Sequence, residues 1–252
     1  MGILDGTVAV VTGGAYSIGR SFSEALAAEG ANIAIADIRD GTETAAAIRD
    51  ASGCRVESWQ IDVSNEDDVR RFAGEVAEAL GPVNVLVNNA ALFAELPPAG
   101  FQDVPADVWD RVMAVNVKGP FLMAKHIAPM MRAKSRGKII NIGSGTAYKG
   151  MRDMAAYVTS KAAIVGLTRC LARELGPDGI CVNTLAPGLV ESPSVLENPH
   201  NLHFSEEVIR SRAIQRRAVP DDLVGALIFL ASPASDFVTG QTLAVDGGSI
   251  TL

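Results

Sequence analysis

Short apolar runs and longer helix-period stretches alternate along almost the whole chain, and this alternation limits the possible folds more than any single residue does. The strand-length runs lie near residues 7–12, 32–36, 55–61, 83–88, 138–142, 180–185 and 242–245. Helical patterns fill the intervals near 17–29, 41–52, 65–80, 107–134, 154–176 and 220–231. Such an order predicts βαβ units and an α/β fold: a doubly wound, seven-stranded parallel sheet with helices on both faces. Right-handed crossovers put ligands at the carboxyl ends of the strands. No linker, internal repeat or low-complexity segment interrupts the 252 residues, so a single domain over 1–252 is expected. One interval breaks the rhythm. Residues 188–217 are too many for an ordinary connection and carry Leu189, Val190, Val195, Leu196, Leu202, Phe204 and Ile209, as expected of a mobile lid over a substrate.

The first strand run, Thr7-Val8-Ala9-Val10-Val11-Thr12, passes into Gly13-Gly14-Ala15-Tyr16-Ser17-Ile18-Gly19 and then into the helical period of Phe22, Ala25 and Leu26. Glycines in such a turn let the backbone approach a pyrophosphate, whose charge is favoured by a helix N-terminus. Eighteen residues after Gly19, the second run ends in Asp37. An acid at that strand end accepts hydrogen bonds from an adenosine ribose and repels a 2′-phosphate. NAD is therefore expected over NADP, with Arg39 the nearby cation that opposes the preference. The plain alternatives are a strand-to-helix turn without a ligand and a helix-capping role for Asp37.

A second constellation lies further along. Tyr157 and Lys161 are four apart, and Ser144 precedes Tyr157 by thirteen residues, just after the run Lys138-Ile139-Ile140-Asn141-Ile142. Positions i and i+4 share a helix face, so phenol and ammonium can point into one cleft. A nearby cation favours the phenolate and brings a tyrosine closer to working pH, and Ser144 adds a hydroxyl for an alcohol or carbonyl oxygen. A pair of this kind taken alone is also an ordinary surface contact.

Taken together these residues resemble the short-chain dehydrogenases/reductases, and the resemblance covers essentially the whole chain. Its pieces are Thr12-Gly13-x-x-x-Ser17-x-Gly19, Asp62-Val63, Asn88-Asn89-Ala90-Ala91, Asn116, Ser144, Tyr157-x-x-x-Lys161, Asn183, Pro187-Gly188, Gly240-Gln241 and Val245-Asp246-Gly247-Gly248. Two positions depart from the usual pattern: Ser17 stands where glycine is most common, and Ser192 where a threonine hydroxyl is usual. The resemblance implies a catalytic set of Asn116, Ser144, Tyr157 and Lys161, with Asn116 holding a water on a proton path through a local helix distortion. It implies that Gly13, Ser17, Ile18 and Gly19 meet the pyrophosphate, and that Asp62 and Val63 flank the adenine. Asn89 and Ala90 would lie on the adenosine side, and Pro187, Gly188, Val190 and Ser192 would complete the cofactor site. Lys161 would also hold the nicotinamide ribose.

In that reading the chain is an NAD-dependent oxidoreductase that moves hydride between an alcohol and its ketone or aldehyde, with Tyr157 as general acid/base. The apolar lid and Leu92-Phe93-Ala94-Glu95-Leu96 suggest a small, mostly apolar or aromatic substrate, with Glu95 and Tyr148 as candidate lining. The stretches from Pro187 to Ser192 and Pro199-His200-Asn201 look like those of catabolic members acting on pyridine-type and aryl alcohols. Two other readings are a 3-oxoacyl carrier-protein reductase, which shares the catalytic residues, and a catalytically idle NAD sensor. By resemblance the helices near 107–134 and 154–176 pair across a two-fold axis and the C-terminal segment through Leu252 meets another subunit, which makes a homotetramer.

Composition narrows the partners. A net charge of -7 without a basic block speaks against nucleic acid. No apolar run approaches a membrane span and the N-terminus lacks a signal pattern, so a cytoplasmic protein is expected. Gly2 is followed by Gly6 rather than the Ser or Thr that lipidation needs. Cys54, Cys170 and Cys181 offer neither a disulfide framework nor a metal box. His200 and His203 lack a third ligand, so no metal is expected.

Overall fold

The structure is a computed structural model that describes residues 2–198 and 205–251. Its first half runs β1 (Val8–Thr12), α1 (Ser17–Ala28), β2 (Asn32–Asp37), α2 (Thr42–Ser52), β3 (Val56–Gln60), α3 (Glu66–Ala79) and β4 (Val85–Asn88). The second half runs α4 (Ala106–Met113), a π-helical turn (Ala114–Lys118), α5 (Gly119–Arg132), β5 (Gly137–Ile142), α6 (Thr146–Lys149), α7 (Ala155–Leu175) and β6 (Ile180–Pro187). After these come α8 (Pro193–Leu196), α9 (Ser205–Arg210), α10 (Asp221–Ala231) and β7 (Thr242–Val245). The strands form one all-parallel sheet in the order β3-β2-β1-β4-β5-β6-β7, as the alternation predicts. The order in which strands are added reverses between β1 and β4, which opens a crevice at the carboxyl ends there.

Strand periodicity divides the core in two. Val8 and Val10 of β1 face one cluster with Phe72 and Val76 of α3 and Met123, Ile127 and Met131 of α5. Ala9 and Val11 face the other, with Phe22 and Leu26 of α1, Ile48 of α2 and Leu223 and Leu227 of α10. Successive side chains point to opposite faces, so a run apolar at every position must be covered twice. Local signals set the helix limits. Asn65 caps α3 by accepting hydrogen bonds from the N–H groups of Asp67 (3.0 Å) and Asp68 (3.4 Å), and three acids fill its first turn. At the end of α2, Gly53 adopts φ +73°, a left-handed value suited to glycine.

The stretch 107–134, expected as one helix, contains a change of helix type. The N–H of Gly119 reaches the carbonyl of Ala114, a five-residue bond, across Ala114–Lys118. Pro120 supplies the reason: it has no N–H for the carbonyl of Asn116 four residues earlier, and its ring crowds that carbonyl in a regular helix.

The lid region is tied down at both ends. Val190 pairs with Ala218 in a parallel bridge, and the buried Arg212 donates to the carbonyls of Leu189 and Arg216, each at 2.6 Å. The expectations for Leu202, Phe204, His200, His203 and Pro199-His200-Asn201 fall outside the described residues, as does that for Leu252. No helix among the described residues is long and apolar enough to cross a membrane.

Candidate active site

A cavity of about 1030 Å³ opens at the carboxyl ends of the strands. Gly13, Ser17, Ile18, Gly19, Asp37, Asp62, Val63, Asn89 and Ala90 line one end, Ser144, Tyr157 and Lys161 the other, and Pro187, Gly188, Val190 and Ser192 line the cavity as well. Asn116 alone among the catalytic and cofactor candidates lies behind the wall, buried to 1 % exposure.

At the first end the turn after β1 is held from β4. The hydroxyl of Thr12 accepts from the N–H groups of Asn89 (2.9 Å) and Ala90 (3.0 Å), and the Asn89 amide donates to the carbonyls of Thr12 and Gly13. Both donors of that amide are thus spent on the glycine turn, so Asn89 braces the pocket. A Cβ on Gly19 would sit 1.9 Å from the carbonyl oxygen of Gly13, so only glycine lets α1 start this close to the turn. Ser17 holds φ +54°, a left-handed value that costs serine on the order of 1 kcal/mol. Its hydroxyl meets that of Ser194 in α8 at 2.8 Å, and the Tyr16 hydroxyl is hydrogen-bonded to Glu197. The guanidinium of Arg39 lies over the Tyr16 ring, 4.4 Å from its centre.

The chemistry of this end fits a dinucleotide. α1 has no side-chain cap and no acid in its first turn, so no side chain of its own competes for its free N–H groups. Asp37 is buried, and its two carboxylate oxygens accept from Ala15 N–H and Arg39 N–H, each at 3.0 Å. Each oxygen keeps further lone pairs for a ribose. Asp62 accepts from the N–H (2.8 Å) and hydroxyl (2.7 Å) of Ser64, which fixes the loop after β3.

At the second end, α7 presents Tyr157 and Lys161 on one face, both buried. The ammonium of Lys161 donates to the carbonyl of Ile142 at 2.8 Å and lies 5.7 Å from the Tyr157 ring centre. Burial pushes the Tyr157 phenol up to about 12, partly opposed by a hydrogen bond from Ser144. Burial also pushes Lys161 down to about 8. Burial thus disfavours the phenolate, and the ammonium is engaged by a main-chain oxygen. Phe93 packs on Tyr157 with ring centres 4.6 Å apart.

Asn116 secures this end from behind. Its amide donates to the Leu92 carbonyl (3.1 Å) and the Ser160 hydroxyl (3.0 Å), while its oxygen accepts from Leu92 N–H (2.8 Å). Ser160 in turn donates to the Tyr157 carbonyl at 2.7 Å. The side chain thus joins the loop carrying Phe93 to the helix carrying Tyr157. Pro120 leaves the main-chain carbonyl of Asn116 without its regular helical donor.

A family profile described as enoyl-(acyl carrier protein) reductase matches residues 13–249. The short-chain dehydrogenase/reductase eriH of Hericium erinaceus is 37% identical over 252 residues, covering 97% of this chain and 98% of its own. The chain belongs to the short-chain dehydrogenase/reductase family. Members of this family use nicotinamide cofactors. An NAD+-bound xylitol dehydrogenase superposes with a TM-score of 0.91 at 31% identity, covering 97% of this chain and 99% of that one. A protein of Beutenbergia cavernae, described as a candidate NAD(P)-dependent gluconate 5-dehydrogenase and holding NADP at low occupancy, has a TM-score of 0.90 at 36% identity, with coverages of 98% and 97%.

As a short-chain dehydrogenase/reductase the chain has supporting residues that its motifs did not reveal. Leu92 and Ser160 hold the named residues in place. Beneath the site, Asn88 donates to Asn141 (2.8 Å), Asn141 to Thr168 (2.9 Å), and the Thr168 and Thr184 hydroxyls meet at 2.8 Å. This buried line ties α7 to β4, β5 and β6. Polar residues inside otherwise apolar strand runs are the signal that could have found it. Of the two substrate-cleft candidates, Glu95 lines the cavity, whereas the Tyr148 hydroxyl turns away to Thr242 at 2.9 Å.

Proposed function

We propose that the protein is an NAD-dependent alcohol dehydrogenase and carbonyl reductase, a reading carried by the convergence of Ser144, Tyr157 and Lys161 at one end of a cavity whose other end holds the buried Asp37. Ser17, Ile18 and Gly19 would hold the pyrophosphate, Asp37 the adenosine ribose, and Asp62 and Val63 the adenine. Lys161 would hold the nicotinamide ribose, with Pro187, Gly188, Val190 and Ser192 along the nicotinamide. The bound cofactor supplies the hydride acceptor or donor. In oxidation the Tyr157 oxygen takes the proton of the substrate hydroxyl; in reduction it returns one. Ser144 donates to the same substrate oxygen and fixes its position, as a near-attack geometry needs. The ring of Phe93 and the lid exclude water from that proton. The main-chain carbonyl of Asn116 holds a water that links Lys161 to solvent.

NAD is preferred because a 2′-phosphate would meet the buried Asp37 carboxylate, while the nearest cation, Arg39, is held face-on by Tyr16. Leu92, Phe93, Met151, Leu189 and Val195 along the cavity, with Phe93 packed on Tyr157, favour a small alcohol with an apolar or aromatic body. A polyol or sugar-acid substrate is a second reading, supported by the relatives' substrates and by Glu95, Lys149, Arg152 and Glu207 along the cavity. An acyl carrier protein is less favoured, since a chain of net charge -7 has little to dock an acidic partner. The functional unit is a homotetramer. Reduced-cofactor formation with NAD+ and NADP+ across aryl, pyridine-type, aliphatic and polyol alcohols tests this, with Tyr157→Phe as control. NAD-dependent turnover lost in Tyr157→Phe is expected; NAD binding without turnover of any alcohol would instead favour a sensor.

A further inference from the structure

Ser144 is engaged from its own loop before any substrate arrives. Two residues on, at the start of α6, the Thr146 N–H donates to Ser144 Oγ at 3.2 Å, and the Thr146 hydroxyl donates to the same oxygen at 2.9 Å. A serine hydroxyl has two lone pairs and one proton. With both lone pairs taken, the proton is what Ser144 has left to offer toward the cavity. Thr146 itself lines that cavity beside Ser144 and Tyr157.

We propose that Thr146 is a positioning residue for the hydride-transfer reaction, its hydroxyl making Ser144 an obligate hydrogen-bond donor to the reacting oxygen. The proposal rests on the dehydrogenase reading above. Direction matters because the two possible roles of Ser144 have opposite effects. As a donor it stabilises negative charge on the substrate oxygen and on the Tyr157 phenolate, where charge develops during proton transfer. As an acceptor it would take the hydrogen bond of the substrate hydroxyl or of the neutral phenol, and so compete with the transfer to Tyr157. A free serine can do either. Thr146 removes the second choice, and the substrate proton is directed to Tyr157 alone. Its main-chain N–H cannot do this by itself, since it fills only one lone pair.

The test compares Thr146→Val, which deletes the hydroxyl at nearly constant shape, with Thr146→Ser, which keeps it. The protein has three tyrosines. Enzyme labelled with 13C at tyrosine Cζ therefore gives three resonances, and Tyr157→Phe assigns the one that matters. In Thr146→Val the alkaline onset of Tyr157 ionisation is expected to move up by about half a pH unit, roughly three-fold in its ionisation constant. The alkaline rise of kcat for alcohol oxidation moves with it, while Thr146→Ser follows the native enzyme in both. Thr146→Val titrating like the native protein would overturn the proposal, as would equal shifts in the two variants, which would point to packing. The resonance needs no substrate, so it decides the role of Thr146 even if no alcohol is turned over, an outcome that would count against the dehydrogenase reading instead.

Discussion

At the floor of the cavity the phenol of Tyr157 stands near 12 and the ammonium of Lys161 near 8, each moved toward its neutral form by burial. A phenol that stays protonated through neutrality is ready to act as an acid, whereas oxidation needs its conjugate base. The rate of alcohol oxidation is therefore expected to climb as pH rises from neutrality toward about 12, and carbonyl reduction to stay flat before falling. Paired pH profiles for the two directions check the sign, and an oxidation rate that falls with rising pH would refute it. Replacing Tyr157 by Phe should lower kcat by ~10²–10⁴ while leaving the cofactor dissociation constant close to native, because the ring and its packing on Phe93 are kept. At the other end, Asp37→Ser should remove the repulsion of a 2′-phosphate and shift the ratio of kcat/KM for NAD over NADP toward NADP by about ten-fold or more. Unchanged preference would mean that Asp37 serves only its two main-chain partners, Ala15 and Arg39.

Among the elements, α1 and α8 face each other across the groove, joined by the Ser17–Ser194 and Tyr16–Glu197 hydrogen bonds. Serine at 17 accepts a left-handed backbone that glycine would take without strain. Ser17→Gly is accordingly expected to leave Tm unchanged or slightly raised while increasing the cofactor off-rate several-fold, because α8 loses a tie to the turn proposed to hold the pyrophosphate. Stopped-flow displacement measures the rate, and a slower release would contradict this. The helix 107–134 teaches a related lesson. Its length follows from apolar period, but its π-helical turn follows from Pro120 acting on Asn116, a relation that periodicity averages away.

For the molecule as a whole, the sheet separates two cores of comparable size, and a large buried side chain in either should carry similar weight. Phe22 and Phe72 are both fully buried, one in each core. Phe22→Ala and Phe72→Ala are each expected to cost about 3–5 kcal/mol in denaturant titrations, without altering the Tyr157 pH profile of the protein that remains folded. A loss confined to one variant would mean that the two layers do not unfold as one unit.

The order of strands and helices, the glycine turn, Asp37 and the Ser144, Tyr157 and Lys161 set were legible in the residues, because each depends on local period or on short spacing along one element. The family and its parallel sheet followed from the same features. Tertiary structure alone decided the rest. Whether Tyr157 becomes more or less acidic depends on how deeply it is buried and on its hydrogen bond with Ser144. That Asn89 braces a turn, that Asn116 clamps Leu92 and Ser160, and that Thr146 saturates Ser144 are matters of which polar atoms meet after folding. Spacing along a chain determines which face a side chain takes, but hydrogen-bond partners and solvation arise between elements far apart in sequence, and only the packed molecule brings those together.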